Sequence, residues 1–269
     1  MLGHRLFLPA IAMRAPLTLL ITAAGAGRRF RDQGIKAPKP MIHVGGRTLL
    51  EHTLDSFELL DGDALLITSQ RRHNLPSQLD HRLRCRLPGI KLHWFELDAL
   101  PPGQLATAQR SIKHWLNQES SKHHHGDPLL IHNCDTGFQW SNACLPGKLD
   151  ASMAVFEAEG DHWSFAQPDP DRPDRAIAIA EKKRISSHAS IGLYGFSSME
   201  RFCSTADWQL KHAAPVKGEH YIAPLLQTLI NKGCSVGIPK VDGIRLYGTP
   251  TELCNTFELS LDQLVADNQ

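Results

Sequence analysis

Gly25 and Gly27, the arginines Arg28 and Arg29, and Lys39 between Pro38 and Pro40 all follow closely on an apolar run from Leu17 to Thr22. Glycines after a strand let backbone N–H groups approach a phosphate without interference from a Cβ. A guanidinium is a fork matched to phosphate oxygens. The two prolines restrict the backbone around Lys39 and hold its charge in place. A glycine pair alone serves turn geometry just as readily, so the cations carry the reading: these are the parts needed to hold a polyphosphate. A Walker loop, GxxxxGK[ST], is absent, and the spacing is poor for a dinucleotide fingerprint.

Positioning such a loop takes a strand before it and a helix after it. Leu17–Thr22 is predicted as a strand, and residues 47 to 60 as an amphipathic helix. Further strands are predicted at Ala64–Ser69, Leu92–Leu97, Pro128–His132, Ala151–Glu157, Ala176–Ala180, Ser190–Phe196 and Val236–Pro239. In Gln104–Asn117, Leu105, Ala108, Ile112 and Trp115 fall on one helical face. Another helix is expected from about His220 to Lys232, closed by Gly233, and a last one from near Thr251. Strands alternating with helices of this length predict an α/β fold, with a mostly parallel central sheet covered on both faces. Ligands in such folds sit beyond the carboxyl ends of the strands. Asp135, after the Pro128–His132 strand, then faces the same crevice as the glycine loop. AQPDPDRPDR, 166 to 175, reads as a long turn joining two strands.

The 269 residues carry a formal net charge of +1. No broad basic field draws in nucleic acid or an anionic membrane, so any phosphate-binding charge is local. No apolar run reaches membrane-spanning length. Residues 1–15 read as a loose extension rather than a leader, because Arg14 and Pro16 interrupt the apolar part; Met13 is an alternative start. Six scattered cysteines without a CxxC pair fit reduced thiols in a cytoplasmic protein. His123, His124 and His125 lie in a polar segment with no other ligand cluster, and are read as a solvated loop.

GAGRRF, APKPMIHVGGRTLLEH and the motifs after them resemble the signature of the nucleotidyltransferases that make nucleotide sugars. The resemblance runs from about residue 17 to 255, the ordered set being more specific than any piece. It implies a Rossmann-like three-layer α/β/α fold of the GT-A-like nucleotidyltransferase type. A single domain, 16–269, would hold a nucleotide half of about 16–140 and an acceptor half of about 141–255. The signature arginine matches Arg29 and the signature lysine Lys39, a catalytic pair that would offset negative charge on the leaving pyrophosphate. Ala24, Gly25, Gly27 and Arg28 would lie against the triphosphate, Arg28 standing where the family usually has a small Ser or Thr. GQLATA is similar to the base-reading segment, so Gln104 or Thr107 would meet the base. LLIHNCDTGF resembles a strand-end GD motif with Cys134 for the glycine, which makes Asp135 the Mg2+ ligand. AIAEKKRISSHASIGLYGFS is similar to the acceptor half. Glu181 would meet polar groups of the acceptor, Lys182 its phosphate, and Gly192 would allow its close approach. GEHYIAP and YGTPTEL echo later motifs, and Glu219 in the first of them would also meet the acceptor. Leu246 stands where many members have a second metal-binding Asp, leaving Asp242 and Glu219 as candidates.

The resemblance implies transfer of a nucleoside monophosphate from a nucleoside triphosphate to a small phosphorylated acceptor, with release of pyrophosphate. The motif set points to a pyrimidine triphosphate, CTP before others, and to capsule-type surface polysaccharide. Members often dimerise, so a homodimer is compatible with it. Two alternatives stay open. One is a glycosyltransferase of similar fold, against which stand the missing D-x-D at the strand end and the intact PKP lysine. The other is a non-catalytic nucleotide sensor, suggested by Arg28, Cys134 and Leu246.

Overall fold

The structure is a computed structural model and describes residues 14–118 and 124–269. The extension up to residue 13 and His123 lie outside the described residues. Strands are β1 Thr18–Thr22, β2 His43–Val44, β3 Arg47–Thr48, β4 Ala64–Gln70, β5 Lys91–Leu97, β6 Leu129–Asn133, β7 Thr136–Gly137, β8 Ala151–Glu157, β9 Ser164–Pro168, β10 Ala176–Glu181, β11 His188–Phe196, β12 Val236–Gly237 and β13 Arg245–Leu246. Helices are α1 Arg28–Arg31, α2 Leu49–Leu54, α3 Leu75–Arg86, α4 Gln104–Leu116, α5 Met199–His212, α6 Ala223–Asn231, α7 Pro250–Phe257 and α8 Leu261–Ala266.

Among the described residues, nine strands form one sheet. Its core is parallel: β1 lies between β4 and β6, and β5 extends β4. All seven residues of β4 are buried, as expected of a strand covered on both faces. Side chains alternate faces along a strand, and the core divides accordingly. Leu20, Leu66 and Ile131 pack with α4, α5 and α6. Leu19, Ile21, Leu65 and Ile67 pack with Leu50 and Leu54 of α2 and with Leu75, Leu79 and Leu83 of α3. The result is the expected three-layer α/β/α arrangement. Beyond β6 the later strands join the same sheet through antiparallel pairs of β11 with β6, β8 and β9, and of β9 with β10.

Local chemistry moves several expected boundaries. The helix predicted from Arg47 starts at Leu49, because Thr48 is its N-cap in a complete capping box with Glu51; it ends at Leu54. The helix predicted from His220 spans Ala223–Asn231, with Pro224 in its first turn. Gly233, at φ 80°, follows it. No helix was expected over α3 or α5, nor a strand at β9. The Pro- and Asp-rich turn joins β9 to β10. All six cysteines are free thiols, and no helix among the described residues is long and apolar enough to cross a membrane.

Candidate active site

At the carboxyl ends of β1 and β6 lies a cavity of about 720 Å3. The Ala24–Gly27 loop forms one wall. Among the described residues, the N–H groups of Gly25, Ala26 and Gly27 donate to no acceptor, so three backbone donors are left for a ligand. Gly27 has φ 62°, the left-handed region open to glycine, and a Cβ there would lie 3.6 Å from Lys39 Cβ. The loop ends in the single turn of α1, pinned by buried Phe30. Successive residues of a helical turn point about 100° apart. Arg28 therefore faces the cavity, while Arg29 points to a separate hollow beside Pro250 and Thr251.

Lys39 comes off a 3-10 turn, Lys39–Met41, braced by Pro38 and Pro40. Its Nζ lies 2.7 Å from Asp135 Oδ2 and 3.4 Å from the Gly248 carbonyl oxygen. Asp135 sits just beyond β6; its side chain is 30 % exposed and that of Lys39 is 15 % exposed. Burial alone would raise the Asp135 carboxyl. The Lys39 charge and hydrogen bond, with lesser help from His132 and Thr136, outweigh that and hold it below the usual carboxylate range. It is therefore an anion at neutral pH.

A second carboxylate approaches the same point. A Cβ on residue 248 would lie 3.1 Å from Glu252 Oε2 and 3.5 Å from Asp135 Oδ2, so both acids flank a space that glycine leaves open. Glu252 is the third residue of α7, where the glutamate of a capping box normally turns back to the N-cap N–H. Glu51 and Gln263 do so in α2 and α8. In α7 the Thr249 hydroxyl accepts from the Glu252 N–H, but the Glu252 carboxylate makes no return bond. Among the described residues it has no hydrogen-bond partner, and no group of three or more potential metal ligands occurs.

The opposite lip is formed by residues 100–104 and 218–221. His220 N–H donates to the Pro102 carbonyl and Leu105 N–H to the His220 carbonyl. Gly103, at φ 99°, lets them meet: a Cβ there would lie 2.5 Å from both N and O of His220. Gln104 Nε2 donates to Thr22 Oγ1 at 3.0 Å, and Thr107 lines the cavity with its hydroxyl bonded to the Gly103 carbonyl. Beside this lip Lys182 donates to Tyr221 Oη and lies 4.1 Å over its ring. Tyr221 Oη donates to Glu219 Oε2 at 2.6 Å. Lys182 adopts φ 52°, rare for a residue with a side chain. Glu181 accepts from Ser164 Oγ, and its burial pushes the carboxyl up.

The structure thus gathers Ala24, Gly25, Arg28, Lys39, Gln104, Thr107, Asp135 and Glu219 on one cavity, with Gly27 directly behind its wall. Glu181 and Lys182 stand behind its lip, the lysine reaching it through Tyr221. Three expectations need correction. Arg29 does not face the cavity, for the helical reason above. Asp242 is exposed and off the cavity, its carbonyl tied to Gln139 N–H. Gly192, at φ 79°, makes room for Asn133, whose Nδ2 a Cβ would meet at 2.2 Å, rather than lining the cavity.

Residues 19–164, more than half of the chain, match the family model of the MobA-like NTP transferase domain. The chain belongs to that family. The NTP transferase also superposes on solved structures. A nucleoside-diphosphate-sugar pyrophosphorylase from Vibrio cholerae RC9 gives a TM-score of 0.75 at 26 % identity, covering 90 % of this chain and 99 % of that one. The inositol-1-phosphate CTP transferase from T. maritima gives 0.67 at 13 % identity over 94 % and 96 %, a likeness of fold. Comparison with curated protein sequences gives no match. Two residues of this NTP transferase escaped the motif reading. Tyr221 lies within GEHYIAP and bridges Lys182 to the cavity. Glu252 lies within YGTPTEL, and its departure from capping geometry needs coordinates to see.

Proposed function

We propose that this NTP transferase moves a nucleoside monophosphate from a pyrimidine triphosphate, CTP before others, to a sugar phosphate or similar phosphate monoester. Pyrophosphate leaves, and the activated product suits assembly of surface polysaccharide in the cytoplasm. The observation that carries this reading is the 2.7 Å Lys39–Asp135 pair beneath three free loop N–H groups. It sets fixed positive charge and an ionised acid at the bottom of one cavity. The likeness to the Vibrio cholerae pyrophosphorylase supports the acceptor class.

An oxygen of the acceptor phosphate attacks the α-phosphorus in line. As that P–O bond forms, the bond from the α-phosphorus to its bridging oxygen breaks, and that oxygen leaves with pyrophosphate. A phosphate monoester is already a usable nucleophile, so positioning and charge neutralisation do most of the work. Cys134 is no competitor, since burial pushes its thiol up to about 12. The loop N–H groups and Arg28 bind the triphosphate, Lys39 offsets charge on the leaving group, and Gln104 and Thr107 meet the base. Lys182, steadied by Tyr221 and Glu219, receives the acceptor phosphate. Mg2+, when bound, would neutralise the α- and leaving phosphates, and needs only one or two carboxylates with water. Asp135 fits that role, being ionised and part-exposed, and Glu252 is placed to share it across the bare Gly248.

Pyrophosphate release from a panel of triphosphates and phosphate monoesters tests the assignment. Release that depends on both substrates is expected. Release independent of any acceptor, or transfer only from a finished nucleotide sugar, would overturn it.

A further inference from the structure

Behind the glycine loop lies a second cavity, of about 290 Å3, whose polar side chains are Arg31, Lys36, Lys39, Arg72 and His73. Among the described residues, no carboxylate lines it. It shares Ala26 and Lys39 with the larger cavity, so the two are separated by little more than the loop and that lysine. Its polar side chains come from two stretches of the chain, residues 31–39 and 72–73. Arg31 ends α1, with its guanidinium on the Ala26 carbonyl. Lys36 is held where the Asn268 carbonyl accepts from the Lys36 and Ala37 N–H groups. Arg72 and His73 lie in the turn after β4. The fold brings like charges together, at an electrostatic cost, in a chain whose net charge is only +1. The Arg72 and Lys36 side chains make no hydrogen bond or ion pair among the described residues. His73 Nδ1 is buried without a partner. Burial, then the charges of Arg72 and Arg31, hold the His73 ring below its usual range. A neutral ring still offers an N–H to an anion.

We propose that this second cavity is a polyphosphate subsite, taking the terminal phosphates of the bound triphosphate and holding pyrophosphate before release. The inference rests on the nucleotidyl-transfer reading and extends it to residues outside the motif set. The donors suit the ligand: guanidinium and ammonium groups, with no carboxylate to repel phosphate oxygens. Lys39 serves both cavities, so charge on the leaving group is met continuously as it moves past the loop.

Arg72→Ala and Lys36→Ala test it, because both side chains are exposed and unpaired and their loss should leave the thermal midpoint unchanged. Calorimetry would measure inorganic pyrophosphate and the triphosphate and monophosphate of cytidine, uridine and thymidine. Each substitution is expected to weaken pyrophosphate and the preferred triphosphate by about tenfold, the scale of a hydrogen bond to a charged group, and the monophosphate by less than twofold. Equal weakening of triphosphate and monophosphate, or of neither, would overturn the subsite. Weakening of pyrophosphate alone would also overturn it, by making the cavity a separate effector site. Pyrophosphate binding that depends on Arg72, in a wild-type protein that releases none from any triphosphate, would sink the transfer reading and leave the anion site standing.

Discussion

The Lys39 ammonium and the Asp135 carboxylate, 96 positions apart in the chain, meet at 2.7 Å at the bottom of the larger cavity. Neither is exposed enough for water to replace its partner fully. Lys39→Ala or Asp135→Asn should therefore cost stability as well as turnover. Loss of one charge-stabilising donor lowers turnover by about 10²–10³. Removing both together should cost less stability than the two losses added, because each single change strands the other charge. Urea unfolding of the two single variants and the double variant checks this; strict additivity would mean that the pair is not coupled.

Glu252→Gln separates a metal role from a capping role. The cap of α7 uses the Glu252 backbone N–H, which the substitution keeps. The melting temperature should hold within a few degrees, while affinity for Mn2+, read by paramagnetic resonance as a stand-in for Mg2+, should fall by about tenfold, at the low end of the losses seen when groups supporting a metal are removed. Asp242→Asn, off the cavity, should leave Mn2+ binding unchanged. A loss for Asp242→Asn with none for Glu252→Gln would reverse the assignment of the second acid.

Tyr221→Phe keeps the ring under Lys182 and removes the hydroxyl joining it to Glu219. The lysine is then freer and must be ordered by substrate. KM for the acceptor should rise about three- to tenfold, in line with one lost hydrogen bond, with KM for the triphosphate unchanged. Steady-state kinetics with each substrate varied in turn makes the comparison; a matching rise for the triphosphate would place Tyr221 on the nucleotide side.

Glu181 supplies a pH signature. Burial, only partly offset by the Ser164 hydroxyl and Lys182, raises its folded-state carboxyl above the ordinary value of about 4.3. A raised pKa contributes stability that is complete below the unfolded value and is lost as pH rises through the folded one. Glu181→Gln should therefore gain thermal stability relative to wild type between acid and neutral pH, and gain least near pH 4. Asp135 has the opposite sign: its lowered carboxyl favours folding above the ordinary carboxylate range and loses that contribution only in stronger acid. Melting curves for Glu181→Gln and wild type from pH 4 to 8 check the first sign. A difference between them that shrinks with rising pH would contradict it.

How far the chain could be read depended on where its information is local. β1, β4 and β6 are short apolar runs, and α4 shows its buried face at helical spacing, so the parallel core was legible. In LPSQLDHRLRCR the three buried leucines are outnumbered by polar and charged residues, so α3 hides in composition and shows only against the sheet. β9 pairs through backbone groups with β10 across a proline-rich turn, a pairing with little sequence pattern. In the site, Gly25, Gly27, Lys39 and Asp135 fall on the motifs that named them. The choice between Arg28 and Arg29 did not, because it turns on how Phe30 anchors one helical turn. Gly192 and Gly103 both need a positive φ and a close neighbour; those neighbours are Asn133 and His220, from other parts of the chain.

Nucleotidyl transfer in the Lys39–Asp135 cavity is tested most directly by following the α-phosphorus. With α-32P-labelled CTP, Mg2+ and a sugar 1-phosphate, label should pass from the triphosphate into a new phosphoanhydride bond to the acceptor phosphate as unlabelled pyrophosphate appears in equal amount, and Asp135→Asn should slow both by at least about a hundredfold. Label passing to the acceptor at an undiminished rate in Asp135→Asn, or failure of the wild-type protein to transfer label from any triphosphate to any phosphate monoester, would contradict the account.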